Sequence, residues 1–137
     1  MFDVQGFTSS ALAFLIAFLT AGAFTIAFKI LYQIATPYNE KALIREGNTA
    51  AALTLGGALL GYVLPLASAL EHTVSLSEFA VWAVLAGVIQ IVAFTIVRAL
   101  VLRDFSDRIA RGEMAAAIYM SSISIVVGVL NAACMTD

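Results

Sequence analysis

Charge is what this chain has least of. Lysine and arginine number seven and aspartate and glutamate nine in 137 residues, 12% charged against 62% hydrophobic, where soluble domains run about 25% charged and about 45–50% apolar. A water-soluble fold is thereby excluded, because its surface would be hydrocarbon and would aggregate. The net charge of -2 offers no concentrated basic surface to displace phosphate counterions, so nucleic acid is not an expected partner. Cysteine is nearly absent as well. Cys134 stands alone, which rules out an intramolecular disulfide, and with His72 as the single histidine no cluster has the ligand count or spacing of a metal site. No nucleophile–base pair, phosphate loop or metal motif is present. The chain therefore reads as non-enzymatic, with no cofactor expected. Basic residues are also missing ahead of Lys29, so the first apolar run lacks the charged start of a secretory signal and is expected to remain as a helix.

What is present is long and apolar. Charged residues divide the chain into four uncharged segments, Val4 to Phe28, Gly47 to Leu70, Phe79 to Val97 and Met114 to Thr136. Roughly 20 apolar residues in a helix cross a hydrocarbon core of about 30 Å. Each segment is long enough, the third once Arg98 extends it by sending its guanidinium to the headgroups, as Lys29 does for the first. Backbone groups in a bilayer have no water partner, so a span is a helix or a closed barrel, and unbroken apolar runs without period-2 alternation select helices. The expected helices are Ser9–Ile34, Asn48–Leu70, Ser77–Leu102 and Glu113–Cys134, with short connections, in one all-α transmembrane domain spanning residues 1–137. All seven basic residues, Lys29, Lys41, Arg45, Arg98, Arg103, Arg108 and Arg111, fall in or beside the first and third connections. The other face carries only the acids Asp3, Glu71, Glu78 and Asp137. The bias of Lys and Arg toward cytoplasmic loops then puts both termini outside, on the periplasmic side of an inner membrane.

The chain also resembles itself. From Gly47 to Gly112, 65 positions on, Gly47-Asn48-Thr49-Ala50-Ala51-Ala52 meets Gly112-Glu113-Met114-Ala115-Ala116-Ala117, and the same shift pairs Ser10 with Ser75, Phe14 with Phe79, Ala21-Gly22 with Ala86-Gly87, Ile44 with Ile109 and Ala67 with Ala132. The expectation is a duplicated helix hairpin, residues 9–70 and 74–135, with two copies facing the same way about an axis along the membrane normal. Asn48 and Glu113 stand where an N-cap or first-turn residue suits the free N–H groups of a helix start. Gly57-xxx-Gly61 and Ser124-xxx-Gly128 offer small-residue faces, for which packing inside one chain is the expected use and a dimer interface the alternative. Pro65 cannot donate to the carbonyl of Gly61, so a kink is expected there.

Few polar residues remain. Gln90 lies near the middle of the third helix, where an unpaired amide would cost several kcal/mol in hydrocarbon, so it is expected to face protein or water. Asn131, Thr54, Ser121, Ser122 and Ser124 are its candidate partners, as interhelical glue or as the lining of a polar path; no acid or histidine stands at the midplane, as ion sites usually require, which favours glue. At the basic rim, Glu40, Arg45, Glu46, Arg98, Arg103, Asp104, Asp107, Arg108, Arg111 and Glu113 are enough for an ion-pair network where the two hairpins meet, with a headgroup-facing anchor as its expected role.

Taken in order, Thr36-Pro37-Tyr38 with Glu40, the run Ala42-Leu43-Ile44-Arg45-Glu46-Gly47-Asn48-Thr49-Ala50-Ala51-Ala52, Leu64-Pro65-Leu66-Ala67-Ser68, Trp82, Gln90 and Asn131-Ala132-Ala133-Cys134-Met135 resemble the DUF350 family, also called UPF0719, over almost the whole chain. Ile109-Ala110-Arg111-Gly112-Glu113 is similar to the family's pattern in its second hairpin. The resemblance implies a small bacterial inner-membrane protein built of paired hairpins, and it implies no biochemical activity. It also implies an association with envelope stress and with membrane-stress proteins as partners. The expectation for function is a non-enzymatic membrane component, embedded in the lipid bilayer, that forms a homo-oligomer through its small-residue faces. The alternative is a small channel or transporter whose path forms in an oligomer.

Overall fold

The computed structural model describes residues 3–36 and 38–135; Pro37 of the quoted motif and Asp137 of the acidic end lie outside them. The described residues form six helices joined by turns: α1 Val4–Ala35, α2 Glu40–Arg45, α3 Thr49–His72, α4 Leu76–Leu100, α5 Phe105–Ala110 and α6 Met114–Ala133. Four of these, α1, α3, α4 and α6, are long and apolar enough to cross a membrane. Their bounds differ from the expected ones by a turn or less at most ends. The exceptions are α1, which begins at Val4 instead of Ser9, and the connections, which contain the short helices α2 and α5.

Local chemistry sets the ends. Asn48 caps α3 by accepting from the N–H of Ala51 at 2.9 Å, and Ser75 caps α4 by accepting from the N–H of Glu78. Gly47 and Gly112 close the turns after α2 and α5 at φ of 88° and 76°, a left-handed conformation that costs glycine nothing. The two turns carry the same hydrogen bonds, Gly47 and Gly112 donating to the carbonyls of Ile44 and Ile109, Asn48 and Glu113 to those of Leu43 and Arg108.

α3 and α6 form the central pair, and α4 packs against both. Their contact is unusually close. A methyl built on Gly57 would sit 2.6 Å from the Ser121 side chain, one on Gly61 would strike the Ser124 carbonyl, and one on Gly128 would strike the carbonyl of Gly61. Small residues permit this approach, and van der Waals contact between the backbones replaces the hydrophobic drive that lipid cannot supply. The Gly57-xxx-Gly61 and Ser124-xxx-Gly128 faces are thus consumed inside one chain, so an oligomer cannot be assembled through them. Pro65 is buried within α3, whose helix continues on both sides of it.

α1 is attached differently. Of its 32 residues only Phe28 and Tyr32 are buried. They belong to an aromatic seam: Phe28 stacks on Tyr62 with centroids 4.4 Å apart and planes within 5°, Tyr32 meets Phe94 edge-on at 4.9 Å, Phe94 meets Phe105 at 5.8 Å, and Phe24 meets Phe79 at 5.6 Å. Phe24, Phe28 and Tyr32 recur every four residues, one stripe of a helix. Most of the rest of α1 faces outward.

Candidate functional site

In the bundle interior, polar side chains reach across helices to backbone carbonyls. Gln90 is 5% exposed and donates its Nε2 to the Ser124 carbonyl at 3.2 Å; Asn131 donates to Ala86 at 3.4 Å. Ser121 donates to Leu53, Ser68 to Ala132 and Tyr62 to Ala83. Thr54 and Ser122 bond within their own helices. Gln90 and Asn131 therefore face a closed core within the chain, and neither takes the other's side chain. The Oε1 of Gln90 is buried without a donor.

At the basic end, the structure departs from the expected network. Among the described residues the ion pairs are Arg108 with Glu113, Arg108 with Asp104 at 4.0 Å and Arg111 with Glu113 at 3.4 Å. All of them lie within the third connection, between α4 and α6, and none of them includes Arg45 or Glu46, which are exposed. Chain proximity explains the difference: the turn at Gly112 brings Arg108 and Glu113 together, whereas the two connections are joined by Asn48, whose Nδ2 donates to the Ile109 carbonyl at 2.8 Å. Glu113 occupies the N-cap position of α6 without capping it, because its carboxylate accepts from the Arg108 Nε at 2.8 Å instead. The adjoining guanidinium holds that carboxyl below its ordinary range.

Arg98 reaches back to the end of α1. Its Nη1 donates to the Ala35 carbonyl at 3.2 Å, capping the C-terminal end of α1, and its guanidinium lies 5.9 Å from the Phe94 ring centroid. A cation there satisfies a carbonyl that the helix leaves unpaired.

Beside that contact sits the most unusual group in the protein. Glu40, the first residue of α2, is 2% exposed. Its Oε1 accepts from the Thr36 hydroxyl at 2.9 Å, while its Oε2 is buried with no donor. The hydroxyls of Tyr32 and Tyr38 are buried next to it, near enough to interact with each other and with Glu40 but without hydrogen-bond geometry. Burial pushes the Glu40 carboxyl up to about 7, with the Thr36 hydroxyl and the Lys29 ammonium pulling it partly back. Burial likewise raises the Tyr38 phenol. A cleft of about 310 Å³, lined by Gln33, Tyr38, Asn39, Glu40 and Lys41, opens beside them.

The sequence does not single out this group: Glu40 is one acid among many at a charged rim, and its only distinguishing signal is its place in Thr36-Pro37-Tyr38-Asn39-Glu40. The groups identified from sequence fall into separate places: Asn48, Gly47, Gly112 and Glu113 at the helix starts, Gly57, Gly61 and Pro65 in the central contact, Gln90 and Asn131 in the core, Arg98 at the end of α1.

The chain matches the family described as Domain of Unknown Function (DUF350) over residues 4–135. It is 42% identical over 127 residues to the UPF0719 inner membrane protein YjfL of Escherichia coli strain K12, covering 93% of this chain and 96% of that protein, and equally to YjfL of strain O157:H7. No solved structure matches it. The chain belongs to the DUF350 family.

Proposed function

We propose that this DUF350 protein is a non-enzymatic component of the bacterial inner membrane that works as a homo-oligomer, contacting partner proteins or lipid through the outward face of α1. One observation carries the reading. The most apolar stretch of α1 is 6% buried, against 56% for α3. Helices associate in lipid by close packing, and α1, held by one aromatic seam, leaves most of its length for contacts outside the chain. Cysteine introduced at Phe18 tests it. Disulfide-linked dimers from Phe18→Cys in native membranes, with none from a cysteine at the buried Ala83, are expected; an α1 that never crosslinks, in a protein that runs as a monomer in lipid nanodiscs, would sink the reading. The link to envelope stress and to membrane-stress partners rests on family resemblance, and its test is copurification from stressed cells.

We further propose that both termini lie outside and that the two hairpins, residues 9–70 and 74–135, are copies. The clustering of basic residues supports the first. The second is supported by the recurrence of a short helix and a left-handed glycine turn at an offset of 65 positions, Gly47 to Gly112. A reporter active only in the periplasm is expected to work at the C-terminus.

The alternative, a channel or transporter with a path formed in an oligomer, has the undonated Oε1 of Gln90 in its favour. Solute or ion flux in proteoliposomes, abolished by Gln90→Leu, would select it.

A further inference from the structure

We propose that Glu40, with the hydroxyls of Tyr32 and Tyr38, forms a proton-binding site at the basic end of the bundle, open to water through the cleft beside α2.

The case begins with an oxygen that has nothing to bond. An ionised carboxylate is acceptor-only, and burying it without donors is costly. Glu40 Oε1 has Thr36, but Oε2 has no donor, and among the described residues no cation comes to it. The groups around it explain why. From α4, Arg98 is committed to the Ala35 carbonyl and the Phe94 ring. From α1, Lys29 is exposed and acts on Glu40 only at a distance. Lys41, the next residue on α2, is exposed, and the start of α3, which packs on α2, has no charged residue between Thr49 and Leu70. Tyr32 and Tyr38 supply the remaining titratable neighbours, and both are phenols.

A proton resolves the arrangement. The neutral acid carries one O–H to donate, and a neighbouring phenol hydroxyl, brought into range by a small side-chain movement, accepts it. When the proton leaves through the cleft as hydronium, the phenols turn and donate to the carboxylate. The same three oxygens therefore serve both states, which a lysine or arginine partner would not allow, since it would fix the acid as an anion. The raised carboxyl, at about 7, agrees with this geometry. So does the third connection. The residue that begins its short helix α5, 65 positions after Glu40, is Phe105, fully buried. An apolar ring fills that seat, so nothing in the architecture of the connection requires an acid at Glu40.

The test is an infrared pH titration of the full chain in vesicles of phosphatidylethanolamine and phosphatidylglycerol, following the carbonyl stretch of a protonated carboxyl. A band titrating around pH 7, absent in Glu40→Gln, is expected. Thr36→Val removes the donor that favours the anion, so its midpoint is expected to move upward; this arm assigns the band even where the Gln variant fails to fold. Wild-type protein with no such band, or a band unmoved by Thr36→Val, overturns the proposal. A midpoint that falls steeply with added sodium or potassium overturns it in favour of a metal cation. None of these readouts depends on oligomeric state or orientation.

Discussion

Gly128 of α6 lies against the carbonyl of Gly61 in α3, the carbonyl that Pro65 leaves without its helical N–H donor. Two departures from ordinary helix sequence thus meet at one point. The proline exposes an oxygen, and the missing side chain opposite lets a helix come close enough for a Cα–H to face it.

Gly128→Ala is expected to force the central pair apart and cost about 1–3 kcal/mol, the usual range for overpacking. Gly56 provides the control, because a methyl there meets nothing within 4 Å. Gly56→Ala is expected to be neutral or to stabilise by up to about 1 kcal/mol through helix propensity alone. Thermal unfolding of both variants in the same detergent makes the comparison, and equal effects would contradict it.

The turns make a second pair of expectations. Ala at Gly47 or Gly112 must adopt φ near 88° or 76°, which costs about 1–2 kcal/mol for a residue with a Cβ. Asparagine tolerates that conformation better, so Gly112→Asn is expected to lose less than Gly112→Ala. Space is not the reason, since both glycines are open on that side.

Gln90→Leu removes one interhelical hydrogen bond to Ser124 and, with it, a buried oxygen that had no partner. The first loss is worth about 0.6 kcal/mol in membranes and the second change offsets part of it. The variant is expected to unfold within about 1 kcal/mol of the wild type, measured by denaturant titration in mixed micelles. It therefore remains a usable probe of transport.

Glu40 predicts how stability varies with pH. Its carboxyl is raised from 4.5 to about 7 in the folded protein, so the folded state holds a proton that the unfolded chain has already released between those values. Stability from this group is full below about 4.5, falls as pH rises through that window and levels off above about 7. The loss is on the order of 2 kcal/mol, allowing for water in the cleft. Glu40→Gln is expected to flatten this slope in melting temperatures taken across the window, and a slope that survives the substitution would assign it to another group.

The spans were legible because bilayer thickness is written into the chain as length: four uncharged runs, each bounded by charge or a cap, left no other fold. The capping role of Asn48 was legible for the same local reason, an amide two residues before the Ala triplet and one after glycine. The short helices α2 and α5 were not, since six residues are too few for a periodic signal. The place of Arg98 near a helix end suggests a headgroup anchor, whereas the partner that the fold supplies, the Ala35 carbonyl, is 63 residues away in sequence.

By itself, then, the sequence determined that this protein lives in lipid, how many times it crosses, and that its basic residues gather at one end. Those properties follow from composition and local spacing, which transfer into hydrocarbon one segment at a time. Only the tertiary structure decided that the small-residue faces are spent between α3 and α6, that α1 is left facing outward, and that Glu40 is buried. Each depends on which helix lies beside which, and a buried carboxylate looks no different from a solvated one until α2 folds it beneath the end of α1.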